Sequence, residues 1–130
     1  MNYSTFGWLS AGLLALLVLP FVFLRLNKLL FQSKDKRFFS LVKALRSIHK
    51  PAGILLIASA FYHGYLAMGT IRLHTGTVLY VTAALTVLLG AIFYNSKNRR
   101  ALSLHKFFAA IAILMLAVHL FAPSLFTGIS

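Results

Sequence analysis

The amino-acid sequence predicts an all-α fold: a four-helix transmembrane bundle forming a single membrane domain over residues 1–130. Three observations lead there. Hydrophobic residues fill 60% of the 130 positions and the mean hydropathy is +0.87, well beyond the balance of a soluble domain. The apolar residues fall into four runs of about the 20 residues that cross a hydrocarbon core. Thirteen Lys and Arg stand against one acid, a net charge of +12, and these cations cluster between the runs and at their ends. In a soluble chain such charge would suggest nucleic acid. Here it marks membrane topology, and no nucleic-acid partner is expected.

The first run covers about residues 4–26, with Pro20 expected to kink it. No Lys or Arg precedes it and no small-residue cleavage site follows, so a retained span is expected and not a cleaved signal peptide. Arg25 and Lys28 mark its end, where long cationic side chains reach the interface. The other runs cover about residues 48–68, 74–94 and 102–123, each of spanning length. Between the first two, Phe38, Leu41, Val42, Leu45 and Ile48 recur at helical spacing, with Lys36, Ser40, Lys43, Ser47 and Lys50 on the opposite face. This pattern predicts a short amphipathic helix on the cytoplasmic surface, its cations meeting anionic lipid. A solvated basic loop or a docking face for a cytoplasmic partner would carry the same pattern.

Orientation follows from the cations near the span ends. Eight lie from Arg25 to Lys50 and four from Lys97 to Lys106, whereas Arg72 stands alone on the other side. Both termini are therefore expected outside the cytoplasm. The chain has no cysteine, which removes disulfides, thiolate zinc sites, iron–sulfur clusters and covalent haem attachment. With Asp35 as its only acid, it has no material for paired-carboxylate catalysis or carboxylate proton relays. A catalytic module is expected in a partner.

Five histidines remain: His49, His63, His74, His105 and His119. His49 and His63 lie fourteen residues apart on the second span, and His105 and His119 fourteen apart on the fourth. Fourteen helical residues turn through about 1400°, about 40° short of four turns, and rise about 21 Å. Each pair thus projects from one face. One span separates the two helices, so they cross in the same direction. His49 and His105 then share the cytoplasmic level, and His63 and His119 the outer level. Two imidazoles at each level can hold two six-coordinate haem irons, a bis-His ligation that favours electron transfer over oxygen binding. A packing role explains a single intramembrane histidine, but not two pairs of identical spacing.

Small residues lie near the same azimuths: Gly53, Ala60 and Ala67 on the second span, Ala109 and Ala112 on the fourth. They would let a flat macrocycle approach, although small residues also serve ordinary helix packing. Gly76 and Gly90, fourteen apart on the third span, would suit a helix flanking both haems. His74 could meet an outer propionate together with Arg72, cap the third helix, or face water. Arg46, Lys50 and Lys106 are candidate propionate partners at the inner level, by charge pairing.

The stretches HKPAGILLIASAFYHGYL (residues 49–66) and LHKFFAAIAILMLAVHLF (residues 104–121) resemble the haem-bearing membrane domain of ferric-reductase-like proteins. That group includes bacterial haem subunits of periplasmic methionine-sulfoxide reductase systems and small flavinylation-associated cytochromes. The resemblance covers about residues 48–121, more than half of the chain. It implies His49 with His105 and His63 with His119 as ligands of two haem b groups. It also implies one-electron transfer coupled to flavin, quinone or a metal chelate, in a bacterial plasma (inner) membrane. The larger members commonly have six spans and a flavin- or nicotinamide-binding domain. Four spans without one point to a small electron-transfer subunit working with a flavoprotein or reductase. Two other functions fit the residues: a quinone-reactive membrane anchor of a redox complex, and a histidine-lined metal transporter. The latter would lack intramembrane acids or thiols to compensate a divalent ion.

Overall fold

The computed structural model describes residues 2–69 and 73–125, and the regular structure among them is entirely helical. Each of the four apolar runs lies in a helix: α1 (Tyr3–Leu26), α2 (Lys36–Met68), α3 (Thr75–Ser96) and α4 (Arg99–Phe121). Even the shortest, α3 with 22 residues, is about 33 Å long, against a hydrocarbon core of about 30 Å. All four are long and apolar enough to cross a membrane.

Polar side chains start and stop the helices. Asp35 opens α2, its carboxylate accepting the Arg37 N–H at 2.9 Å, and Asn98 opens α4 by accepting the Arg100 N–H at 2.9 Å. Each satisfies one of the donors that a helix start leaves without a partner. After α1 the chain makes one π-helical turn, Asn27–Phe31. The Asn27 amide then clamps Ser33, accepting its N–H at 2.8 Å and donating to its carbonyl at 3.1 Å. Gly69 ends α2 with φ +62°, a left-handed conformation that costs glycine little. Lys97 ends α3 in the same region with φ +55°, so only Asn98 separates it from the start of α4.

The amphipathic segment is not a separate surface helix, as the sequence pattern suggested. It is nearly the first half of α2, which runs unbroken for 33 residues. Nothing between residues 36 and 50 breaks a helix, and Pro51 removes only the N–H that would have bonded the Ser47 carbonyl. At about 50 Å, α2 is longer than a bilayer core is thick. Its first turns lie beside the end of α1, where Phe23 faces Phe38.

The helices associate as two antiparallel hairpins. Along α1 and α2, Phe23 faces Phe38 and Phe6 meets Tyr62 edge-on at 4.8 Å between ring centres. Midway, the Ser10 and Ser59 hydroxyls share a hydrogen bond of 2.9 Å. The α3–α4 hairpin is closed by the two-residue turn. Phe61 meets Tyr80 where α2 passes α3. The buried apolar set is Leu14, Val42, Ala52, Leu56, Ala83, Ala101 and Ala112. Four of the seven are alanines, which let helix backbones approach as they do in membrane bundles. The bulky side chains point outward instead: Phe121 is 88% exposed and Ile54 68%. An apolar surface of that extent suits hydrocarbon and not water.

Candidate cofactor site: two stacked histidine pairs

The hairpins bring α2 and α4 together in the same direction, with their histidines facing in pairs. At one level the His49 and His105 ring centres are 6.2 Å apart, with planes inclined at 64°. At the other, His63 and His119 are 6.4 Å apart at 82°. All four rings are half-buried. The second level lies at the same end as both ends of the described chain, since Tyr3 and Pro123 touch it.

Each ring is held from behind by the other helix of its own hairpin. His63 Nδ1 lies 2.7 Å from the Tyr3 carbonyl oxygen, and His105 Nδ1 lies 2.8 Å from that of Thr86. A carbonyl only accepts, so in both rings Nδ1 carries the proton and Nε2 carries a lone pair. His119 Nδ1 lies 3.0 Å from Thr75 Oγ1, which itself donates to the Pro123 carbonyl at 3.0 Å. The hydroxyl has one proton and gives it to Pro123, so it accepts from His119, and the same tautomer results. His49 is met by the backbone of Leu17 on α1. Thus α1 backs both histidines of α2, and α3 backs both of α4.

Glycines make this close approach possible. A Cβ at Gly90 would stand 3.1 Å from His105 Nδ1, one at Gly76 3.1 Å from His119 Cε1, and one at Gly7 2.9 Å from His63 Cε1. The fourteen-residue spacing of Gly76 and Gly90 therefore clears the imidazoles of α4, where the sequence suggested a flank for the macrocycles. Gly90 follows Thr86 by four residues, as Gly7 follows Tyr3. In a helix the residue at i+4 covers the carbonyl at i, so glycine there leaves the carbonyl open to a second donor. Sequence reasoning missed Tyr3, Gly7, Leu17, Thr75 and Thr86. The only local signal was the pair of carbonyl-then-glycine steps, which means nothing until a histidine is known to lie opposite.

The spacing of the rings fits a metal between them. Imidazole nitrogen binds such metals at about 2.0–2.1 Å, and roughly 1.2 Å more separates nitrogen from ring centre, so a collinear N–metal–N unit puts the centres about 6.4 Å apart. A direct ring-to-ring hydrogen bond would draw them in to about 5.2 Å. Among the described residues no group of three or more His, Cys, Asp or Glu gathers as a metal site. Each level thus offers two donors and no third. A bare divalent ion would want three or four protein ligands, whereas an iron porphyrin brings four nitrogens of its own and needs only the axial pair. The donor set fits haem.

The remaining expected residues are more dispersed. Gly53 is buried against α3, a Cβ there lying 3.7 Å from Val87 Cγ2, an ordinary contact. Ala112 is buried and Ala67 exposed. Arg46 is exposed near the first level. Lys50 Nζ sits 3.0 Å above the centre of the Tyr94 ring, a cation–π contact. Lys106 lines a groove at the α3–α4 turn with Lys97 and Arg99. His74 precedes α3 and its side chain makes no capping hydrogen bond. It lies within electrostatic reach of His119. Arg72 lies outside the described residues.

No protein family, curated protein or solved structure matches this chain. The histidine geometry carries the functional reading.

Thr75 gives that geometry a direct check. It is fully buried, and valine would keep its shape while removing the acceptor. For a haem held between His63 and His119, Thr75→Val is expected to weaken binding about 10–100-fold, the usual cost of losing a partner behind a metal-bound histidine. Haem titration of the apoprotein reads this, with the other level unchanged. Equal affinity at both levels in the variant would mean that the Thr75 hydroxyl does not orient His119.

Proposed function

We propose that this chain is a b-type cytochrome of a bacterial plasma (inner) membrane, binding two haems and passing electrons between redox partners on its two sides. The observation that carries this is the repetition of one arrangement at two levels. Two facing imidazoles stand 6.2 or 6.4 Å apart, each tied from behind by a neighbouring helix. His49 and His105 would hold the inner haem, and His63 and His119 the outer one. Haem held in this way would supply one-electron chemistry.

The chain's own residues do the rest. In His63, His105 and His119 the hydrogen bonds at Nδ1 leave Nε2 free as the ligand and raise its basicity. Holding the rings against α1 and α3 keeps both levels rigid, so little rearrangement is needed when charge changes. Outward-facing leucines and phenylalanines keep the interior in hydrocarbon and away from water. Exposed Arg46 and Lys50 supply positive charge for propionates at the inner level. A flavoprotein or reductase at either face, or a quinone in the bilayer, is the partner class that such a protein serves.

The purified protein is expected to contain about two haems per chain and to give the reduced-minus-oxidised spectrum of six-coordinate b haem. Protein that stays colourless after haem is added would overturn the proposal. The basic end of the bundle faces the cytoplasm, which places both termini outside. A reporter active only beyond the membrane should therefore work when fused to either terminus, and fail when placed in the α3–α4 turn. The reverse pattern would invert the topology.

A further inference from the structure

A second cluster of chemistry lies at the basic end of the bundle, apart from the histidines. Lys97, Arg99 and Lys106 stand around a groove of about 550 Å³ floored by Phe93, Leu102 and Ser103. The tight turn forces the first two side by side, because Lys97 ends α3 and Arg99 begins α4. The Tyr94 ring adds to the crowding, with Lys97 Nζ 4.5 Å from its centre and Lys50 Nζ 3.0 Å from it. Three cations thus line the groove, and Lys50 shares the Tyr94 ring with one of them.

The chain has no anion to give them. Its single acid, Asp35, caps α2 through the Arg37 N–H. Like charges held together repel unless a counter-charge arrives from outside. The floor of the groove says what kind of molecule brings it. Phe93 and Leu102 are apolar, and the neighbouring Ile92, Leu104 and Phe107 face outward on α3 and α4. A small hydrated anion would satisfy the cations and leave that floor bare. A molecule with a phosphate above and hydrocarbon below satisfies both.

We propose that this groove binds an acidic phospholipid, its phosphate between Lys97, Arg99 and Lys106 and its acyl chains against α3 and α4. The site rests on the membrane reading above, and on nothing about haem. Extraction of the chain only by detergent is established first, so that a failure of the membrane reading is seen by itself. The detergent-purified full chain is then titrated with phosphatidylglycerol or phosphatidylcholine and observed by native mass spectrometry. Each interfacial cation strengthens the hold on acidic lipid about fivefold. Phosphatidylglycerol is therefore expected to bind at least about tenfold more tightly than phosphatidylcholine. The triple variant Lys97→Gln, Arg99→Gln, Lys106→Gln should lose that preference. A control with the same change of charge, Lys34→Gln, Lys36→Gln, Lys43→Gln, should keep it. If the triple variant does not fold, Lys106→Gln alone should lower the preference about fivefold. Millimolar inorganic phosphate should leave the lipid bound. Equal binding of the two lipids, equal loss in the two triple variants, or displacement by inorganic phosphate would each overturn the proposal.

Discussion

Replacing His63 or His119 by alanine is expected to halve the haem content, from about two per chain to about one, and to leave the inner haem in place. His49→Ala and His105→Ala should remove the inner haem and leave the outer. The reason is geometric. The two levels lie about 21 Å apart along the helices, and each ring is held by its own partner: Tyr3 for His63, Thr75 for His119, Thr86 for His105, Leu17 for His49. No residue is shared between levels, so losses at one should not reach the other. Redox titration separates the outcomes. The wild type should titrate in two waves, and each variant should keep one, the same wave surviving in both members of a level. Four variants that all lose the same wave would show that the rings are paired wrongly. Four that lose nothing would show that these histidines are not the ligands.

Gly90→Leu is expected to abolish the inner haem almost as completely as His105→Ala does, although Gly90 would touch no cofactor. A Cβ at Gly90 stands 3.1 Å from His105 Nδ1, and the rest of a leucine would occupy the ring's place against α3. The ring would swing away from the Thr86 carbonyl, and its Nε2 would no longer face His49. Gly90→Ala should give an intermediate result, since the ring need give way by only a few tenths of an ångström. Gly12 offers the control: a Cβ there meets nothing within 4 Å, so Gly12→Leu should leave both haems. Haem content and the two redox waves read all three variants. A Gly90→Leu protein that keeps its full inner haem would mean that His105 is not seated on α3 in the way described.

Part of this was legible in the sequence. The four helices and the matched histidine depths follow from run length and from a spacing of fourteen, because helical rise and twist are nearly invariant. The separate amphipathic helix was misjudged. The polar face of Lys36, Ser40, Lys43, Ser47 and Lys50 suggested a helix lying on the surface, but charge by itself does not break a helix, and no glycine or turn residue interrupts residues 36–50. Gly76 and Gly90 were noticed for their spacing, and the structure sets them against His119 and His105. Their distance along α3 matches the histidine spacing on α4, and spacing alone does not say whether a ring or a macrocycle fills the space. His74 could be placed at a helix start, but the missing side-chain cap is a matter of local rotamer and had no sequence signal.

What the sequence determined by itself is everything that depends on one helix at a time. That covers how many helices there are, how long they run, where the cations collect, and that two of them carry imidazoles on one face at two heights. What the tertiary structure decided depends on the distance and rotation between helices. It set the gaps of 6.2 and 6.4 Å across each pair, the proton on Nδ1, the glycine under each of three rings, and the cations crowded at the α3–α4 turn. Periodicity carries no term for how closely two helices approach. That distance is set by the small residues between them, and it decides whether two facing histidines merely pack or leave room for a metal between them.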